Sequence, residues 1–344
     1  MSILSRHVPV LAIALAFAIL AAACGTDPAT TTSAAPKGGR SGPLKVVATT
    51  GMIADAARNI AGDRASVTAL MGPGVDPHLY KATPGDMRTL QEADLILYNG
   101  LHLEGRLADS LVRLAASKTT VQVTDSIDES LLREPPEFDG HFDPHIWFDV
   151  ELWMKVVERT RDAMAAADPA NADAYSANAT SHLAELRALH EHCAAEIARI
   201  PADRRVLVTA HDAFGYFGSA YGIEVMAIQG ISTDSEGSLK QINTLVDTLV
   251  DRRIPAVFIE STVPRRTMDA LVEGCKARGH AVVIGGELYS DALGNAGSPA
   301  ATYIGMVRHN VGTIVEALAP PGATGSAATA PSTSPASGNE GEAQ

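Results

Sequence analysis

Short β-branched, mostly apolar runs recur along the chain in two series, separated by stretches whose apolar residues repeat at helical spacing. The first series is Lys45 to Thr49, Ser66 to Leu70, Asp94 to Tyr98 and Thr120 to Val123. The second is Arg205 to Thr209, Ile223 to Ile228, Ala256 to Glu260 and Ala281 to Ile284. Runs that are apolar throughout, with no polar alternation, suit central strands of parallel sheets covered on both faces. Helical patterns fall between them, among them Pro84 to Glu92, Glu104 to Ala116, Leu239 to Arg252 and Arg266 to Arg278. The alternation predicts an α/β protein of two lobes, each with a roughly four-stranded parallel sheet flanked by helices.

The segment between the two series has its own pattern. From Asn171 to Arg199 there is no Gly or Pro, and Leu183, Leu186, Leu189, Cys193 and Ile197 recur at helical spacing. Pro169 stands near its start and Pro201 just past its end, as helix boundaries require. One helix over 171–200, about 43 Å long, is expected to join the lobes as a rigid strut and to keep lobe motions small. His182, His190 and His192 on this helix are expected to face solvent, and Met52 and Met226 to be core.

The ends read differently. Val8 to Ala23 is one apolar run of about 16 residues, the length of a signal-peptide core and short for a membrane span. It ends in Ala21-Ala22-Ala23 directly before Cys24, the arrangement of a lipoprotein signal in which Cys24 becomes the lipid-bearing N-terminus. Position 21 is Ala where such signals usually carry Leu. Residues 24–43 and 320–344 are rich in Thr, Ser, Ala, Gly and Pro and have little to bury, so they read as a flexible tether and a disordered tail. The expected organisation is a signal peptide over 1–23, the tether, an N-terminal lobe over 44–170, the linking helix, a C-terminal lobe over 201–319, and the tail. The chain is then extracytoplasmic and held at the cell membrane through Cys24. A net charge of −13 argues against a nucleic-acid partner. Besides Cys24, only Cys193 and Cys275 remain, either as a disulfide or as two buried thiols.

The chemistry concentrates in a tripeptide that occurs twice, Asp76-Pro77-His78 and Asp143-Pro144-His145. In each, Pro stiffens the backbone just before an imidazole, and an aromatic follows two residues on, at Tyr80 and Trp147. The second series supplies His211 at the end of a strand, and Asp291 in the loop that follows the run Ala281 to Ile284. Strand-end loops are where open α/β sheets bind ligands, so each lobe presents two candidates to one cleft. Asp212 is a candidate acceptor for the neighbouring His211 ring, or a helix cap. Glu260 either lines the cleft or pairs with an Arg. His141, in an acidic loop four residues before His145, is expected to fall outside the site.

The blocks Asp76 to Tyr80, Asp143 to Asp149, Thr209 to Phe217, Gln229 to Thr233, Phe258 to Thr262 and Gly285 to Asp291 resemble, in order, the TroA-like metal receptors of bacterial ABC importers. That resemblance implies two α/β lobes joined by a long helix, with one metal ion held between them by His78, His145, His211 and Asp291. It implies an ABC permease and, through it, an ATPase as partners, and a monomeric receptor that is not an enzyme. Zinc receptors of this type often carry a long His-rich loop before the second His motif. Here that loop is short, with His141 its only other His, which favours manganese over zinc.

Three imidazoles and a carboxylate suit a borderline divalent cation, Mn²⁺ or Zn²⁺, and not Mg²⁺ or Ca²⁺, which prefer oxygen shells. Four protein ligands leave little room for the open position a catalytic zinc keeps. The competing readings are a secreted zinc-dependent hydrolase, with Glu287 as its base, and an adhesin that uses the metal for structure. A receptor for an organic solute would want aromatics and Arg in the cleft, which these blocks lack.

Overall fold

The computed structural model describes residues 42–234 and 237–320. The signal segment, Cys24, most of the tether and the tail from residue 321 lie outside the described residues. In the first half, the chain runs through strand β1 (Leu44–Ala48), helix α1 (Gly51–Ala61), β2 (Ala65–Ala69), α2 (Pro84–Glu92), β3 (Leu95–Tyr98), α3 (Ala108–Ala115) and β4 (Thr119–Gln122). Helices α4 (Val150–Ala167) and α5 (Ala172–Ala198) follow. The second half comprises β5 (Val206–His211), α6 (Gly215–Tyr221), β6 (Glu224–Gln229), α7 (Leu239–Arg252), β7 (Ala256–Glu260), α8 (Arg266–Ala277), β8 (Val283–Leu288) and α9 (Tyr303–Leu318).

The first sheet has four parallel strands in the order β2-β1-β3-β4. β1 and β3, its central strands, are the most deeply buried, as their continuous apolar sequences require. The second half departs from the expected single sheet. β5 pairs with β6 and β7 with β8, both in parallel, as two separate two-stranded ladders. β5 and β7 pack side by side, but at their C-terminal ends the amides of Ala210 and His211 donate to the Glu260 carboxylate. A side chain thus takes donors that a strand-to-strand ladder would use.

β8 also runs further than the sequence suggests, through Gly285-Gly286-Glu287-Leu288, a stretch expected to be loop. The β7–β8 register shifts between Val257 and Phe258. Gly285 explains the choice of residue: a Cβ there would stand 2.7 Å from Ala317 on α9 and 2.8 Å from the Phe258 ring. Only glycine lets the last helix lie this close to the strand.

Helix α5 spans 27 residues, about 40 Å at 1.5 Å per residue. It is not a free strut. Its buried stripe of Tyr175, Ala179, His182, Leu183, Leu186, Leu189, Cys193 and Ile197 packs against α4, α1, α6 and α9. His182 is therefore buried, against the expectation of a solvated ring; it lies on the same stripe as Leu183 and Leu186, one to four positions on. His190 and His192 are half-buried. Helix α9 belongs by packing to both halves, since it lies on β8 and α5 and its start touches α1. The Tyr303 amide donates to Asp55 Oδ2 of α1 at 2.9 Å, and its hydroxyl donates to the Trp147 carbonyl at 2.7 Å. The largest apolar core accordingly runs through both halves. Cys193 and Cys275 are free buried thiols, one in this shared core and one in a second core within the second half.

Leu186 is fully buried at the middle of α5. Leu186→Ala is expected to lower stability by roughly 2–5 kcal/mol, the range for a Leu truncated in a packed core, as read by urea unfolding.

Candidate metal centre

The duplicated tripeptide is one local structure used twice. In each copy the Asp carboxylate accepts the backbone N–H of the His two residues on: Asp76 Oδ1 from His78 at 2.9 Å, and Asp143 Oδ1 from His145 at 3.0 Å. Proline between them supplies the fixed φ and removes a competing donor. The turn after β2 delivers His78, and the longer excursion after β4 delivers His145. From the other half, His211 is the last residue of β5, and Asp291 comes three residues after β8.

These four side chains meet. One ligand atom from each of His78, His145, His211 and Asp291 lies within 4.8 Å of all the others. His78 Nε2 is 3.2 Å from His145 Nε2, and His211 Nε2 is 3.2 Å from Asp291 Oδ2. Asp291 Oδ2 is 3.7 Å from His78 Nε2, and Oδ1 is 3.5 Å from His145 Nε2. Donors bound to one tetrahedral ion at roughly 2.0–2.1 Å stand about 3.3 Å apart, so the cage has the size of a single cation. All four residues are buried, none more than 3% exposed.

The surrounding acids set which way the lone pairs point. His145 Nδ1 stands 2.8 Å from Asp143 Oδ1, and His211 Nδ1 stands 2.5 Å from Glu260 Oε2. Each acid is placed to accept the Nδ1 hydrogen, which turns Nε2 of that ring into the cage, where it can bind a metal ion once it carries no hydrogen. Asp291 adds two more acceptors, and both of its oxygens are buried with no hydrogen-bond donor of good geometry. Buried acceptors facing one point without a donor are costly unless a cation satisfies them.

Charge in the metal-free cage follows from these contacts. Burial pushes the His78 imidazole down to about 3, against the pull of Asp291. Burial opposes charge on His211 too, but the Glu260 and Asp291 carboxylates on its two sides more than reverse it, and its pKa is raised. Burial alone would raise Asp291, yet the neighbouring His211, His145 and His78 hold it below the usual carboxylate range. The two carboxylates facing the ring therefore favour the charged form of His211 in the absence of metal.

Of the two candidate acceptors, Glu260 takes the position on His211. Asp212 does not touch that ring; its amide bonds the Gly230 carbonyl, and burial, then the nearby Asp143, push its carboxyl up to about 6. The acid on His145, Asp143, was in view as part of the repeated tripeptide, but its bond to the imidazole was not. His141 lies apart from the cage, exposed beside His102 with ring centroids 4.2 Å apart. Glu287 is exposed on β8, where its carbonyl accepts from His309.

Comparison with known proteins finds relatives whose names describe metal binding. Residues 46–317 match the family described as the periplasmic zinc-uptake complex component A. The manganese-binding lipoprotein MntA of Bacillus subtilis is 48% identical over 86% of this chain and 94% of its own. The manganese ABC transporter substrate-binding lipoprotein PsaA of Streptococcus pneumoniae is 32% identical over 88% of this chain and 96% of its own. The solved periplasmic zinc-binding protein TroA of Treponema pallidum superposes with a TM-score of 0.79 at 46% identity, covering 81% of this chain and all of that one.

Glu260→Gln removes the principal charge that raises the His211 pKa while burial continues to lower it. In metal-free protein the His211 titration should therefore move to lower pH than in the wild type, as followed by imidazole proton NMR.

Proposed function

This chain belongs to the family of periplasmic zinc-uptake complex A components, and from that premise we propose that His78, His145, His211 and Asp291 together hold the ion it carries. The chain is a metal-binding receptor of an ABC importer, taking one Mn²⁺ or Zn²⁺ ion as cargo. The observation that supports the ligand assignment best is the convergence of four buried side chains, each with one ligand atom within 4.8 Å of all the others.

Holding the ion, and not reacting with it, fits the donor count and the surrounding acids. Four protein donors complete a tetrahedron, and a second Asp291 oxygen makes a fifth contact available. The two acids nearest the cage, Asp143 and Glu260, are committed to Nδ1 of His145 and His211, so neither is free to act as a base. The relatives' names describe metal binding and transport. Between the two ions, the paired oxygens of Asp291 and the short loop before His145 favour manganese. Imidazole content alone ranks zinc as the tighter binder, so we assign manganese on the strength of the carboxylate.

The outward parts of the reading are also proposals. Cys24 carries the lipid that holds the receptor at the extracytoplasmic face, in keeping with relatives named lipoproteins. No helix among the described residues is long and apolar enough to cross a membrane. A permease and its ATPase receive the ion from a monomeric receptor.

Plasma emission analysis of protein purified from its native host should find one manganese ion per chain. His145→Ala should weaken binding by more than about 100-fold in calorimetry, since even the outer partners of a ligand are worth roughly 10–100-fold. Unchanged affinity would remove His145 from the ligand set. Binding must expel the His211 proton. Affinity should therefore fall as pH is lowered through His211's raised range, by about tenfold per unit for one displaced proton. Titration in two buffers of different ionisation enthalpy counts that proton.

A further inference from the structure

The four ligands are not held alike. His145 sits in a fully buried run from Asp143 to Phe148, His211 ends the fully buried strand β5, and Asp291 lies in the buried stretch Ser290 to Gly294. His78 is different: exposed Gly72, Pro73 and Gly74 precede it, and exposed Leu79 follows it.

The ties across the cage differ in the same way. On the His145 side the two halves are joined by buried aromatics. The Tyr216 hydroxyl donates to the Asp143 carbonyl at 3.0 Å, and Trp147 Nε1 donates to the Ser290 carbonyl at 2.9 Å. Both side chains are almost completely buried. On the His78 side, the Thr233 hydroxyl, in the loop after β6, donates to Asp76 Oδ2 at 2.6 Å. The other oxygen of Asp76 accepts the His78 amide. Thr233 and Asp76 are only half-buried, and the neighbouring ion pair, Arg106 to Asp234 at 3.5 Å, is exposed on both sides. An exposed pair of this kind contributes little.

We infer that the cage opens on the His78 side, and that Thr233 is a positioning residue which, through Asp76, holds His78 in place and sets the rate of metal release. This rests on the ligand assignment proposed above. Loss of the Thr233 bond frees the Asp76–His78 turn without removing a ligand, whereas the other three ligands stay clamped in buried backbone.

The test is the rate at which metal-loaded protein yields Zn²⁺ to excess chelator in stopped flow, together with hydrogen exchange of the wild type. Thr233→Val, which keeps the shape and deletes the donor, should release metal about tenfold faster, the equivalent of one hydrogen bond to a charged acceptor. Thr233→Ser, which keeps the donor, should restore a rate close to wild type. On metal removal, amides of residues 72–80 and 231–234 should lose protection while those of 143–148 keep it. Equal release rates for wild type and Thr233→Val overturn the inference, as do equally fast Ser and Val variants, or equal deprotection of both His loops. A wild type that takes up no zinc or manganese would instead sink the ligand assignment itself.

Discussion

Three imidazoles and a carboxylate converge in one dry space a few ångströms across, with a further acid behind two of the rings. That convergence organises the centre of this protein. The acids behind the rings make it sharper, because Asp143 and Glu260 each claim the Nδ1 hydrogen and so turn an Nε2 lone pair inward. In the metal-free state the carboxylates on its two sides favour the charged form of His211, which relieves part of the repulsion. A divalent cation relieves all of it, which is why the same geometry that destabilises an empty cage selects for a metal ion.

The frame exists to hold this arrangement against its own repulsion. Two of its four side chains come from each half, so closing the cage requires the halves to be fixed. The long α5 does this by packing along its length, and α9 returns from the second half to bond Asp55 of α1 and the Trp147 carbonyl beside the His145 loop. A core continuous through both halves makes large separation of the lobes expensive. Motion that releases the ion is then best sought in a loop, and the loops differ in burial.

Much of this was readable before any coordinates. Seven of the eight strands fall on or within a residue or two of the β-branched runs, α2 and α7 fall on their predicted residues, and the long helix lies within the predicted span. The reason is that each rests on local pattern: apolar continuity for strands, capping and periodicity for helices. The repeated Asp-Pro-His tripeptide marks two of the four side chains that meet in the cage, because its turn is also local. What was not legible depends on contacts distant in sequence. Glu260 reaches His211 across 49 positions, whereas Asp212, its neighbour in the chain, points elsewhere. The split of the second sheet into two ladders is likewise set by contacts between strands distant in sequence. The burial of His182 depends on α5 being packed on several sides, which its own sequence does not state. The extension of β8 through Gly285 and Gly286 reads as a turn locally, and becomes strand because α9 needs the space a side chain would fill.

The most direct test of the central claim is anomalous diffraction from crystals grown with manganese, recorded to locate the ion. The account predicts a single strong peak enclosed by the four side chains, within roughly 2.0–2.3 Å of Nε2 of His78, His145 and His211 and of the Asp291 carboxylate. A peak elsewhere on the molecule, with the cage holding only water, would contradict it.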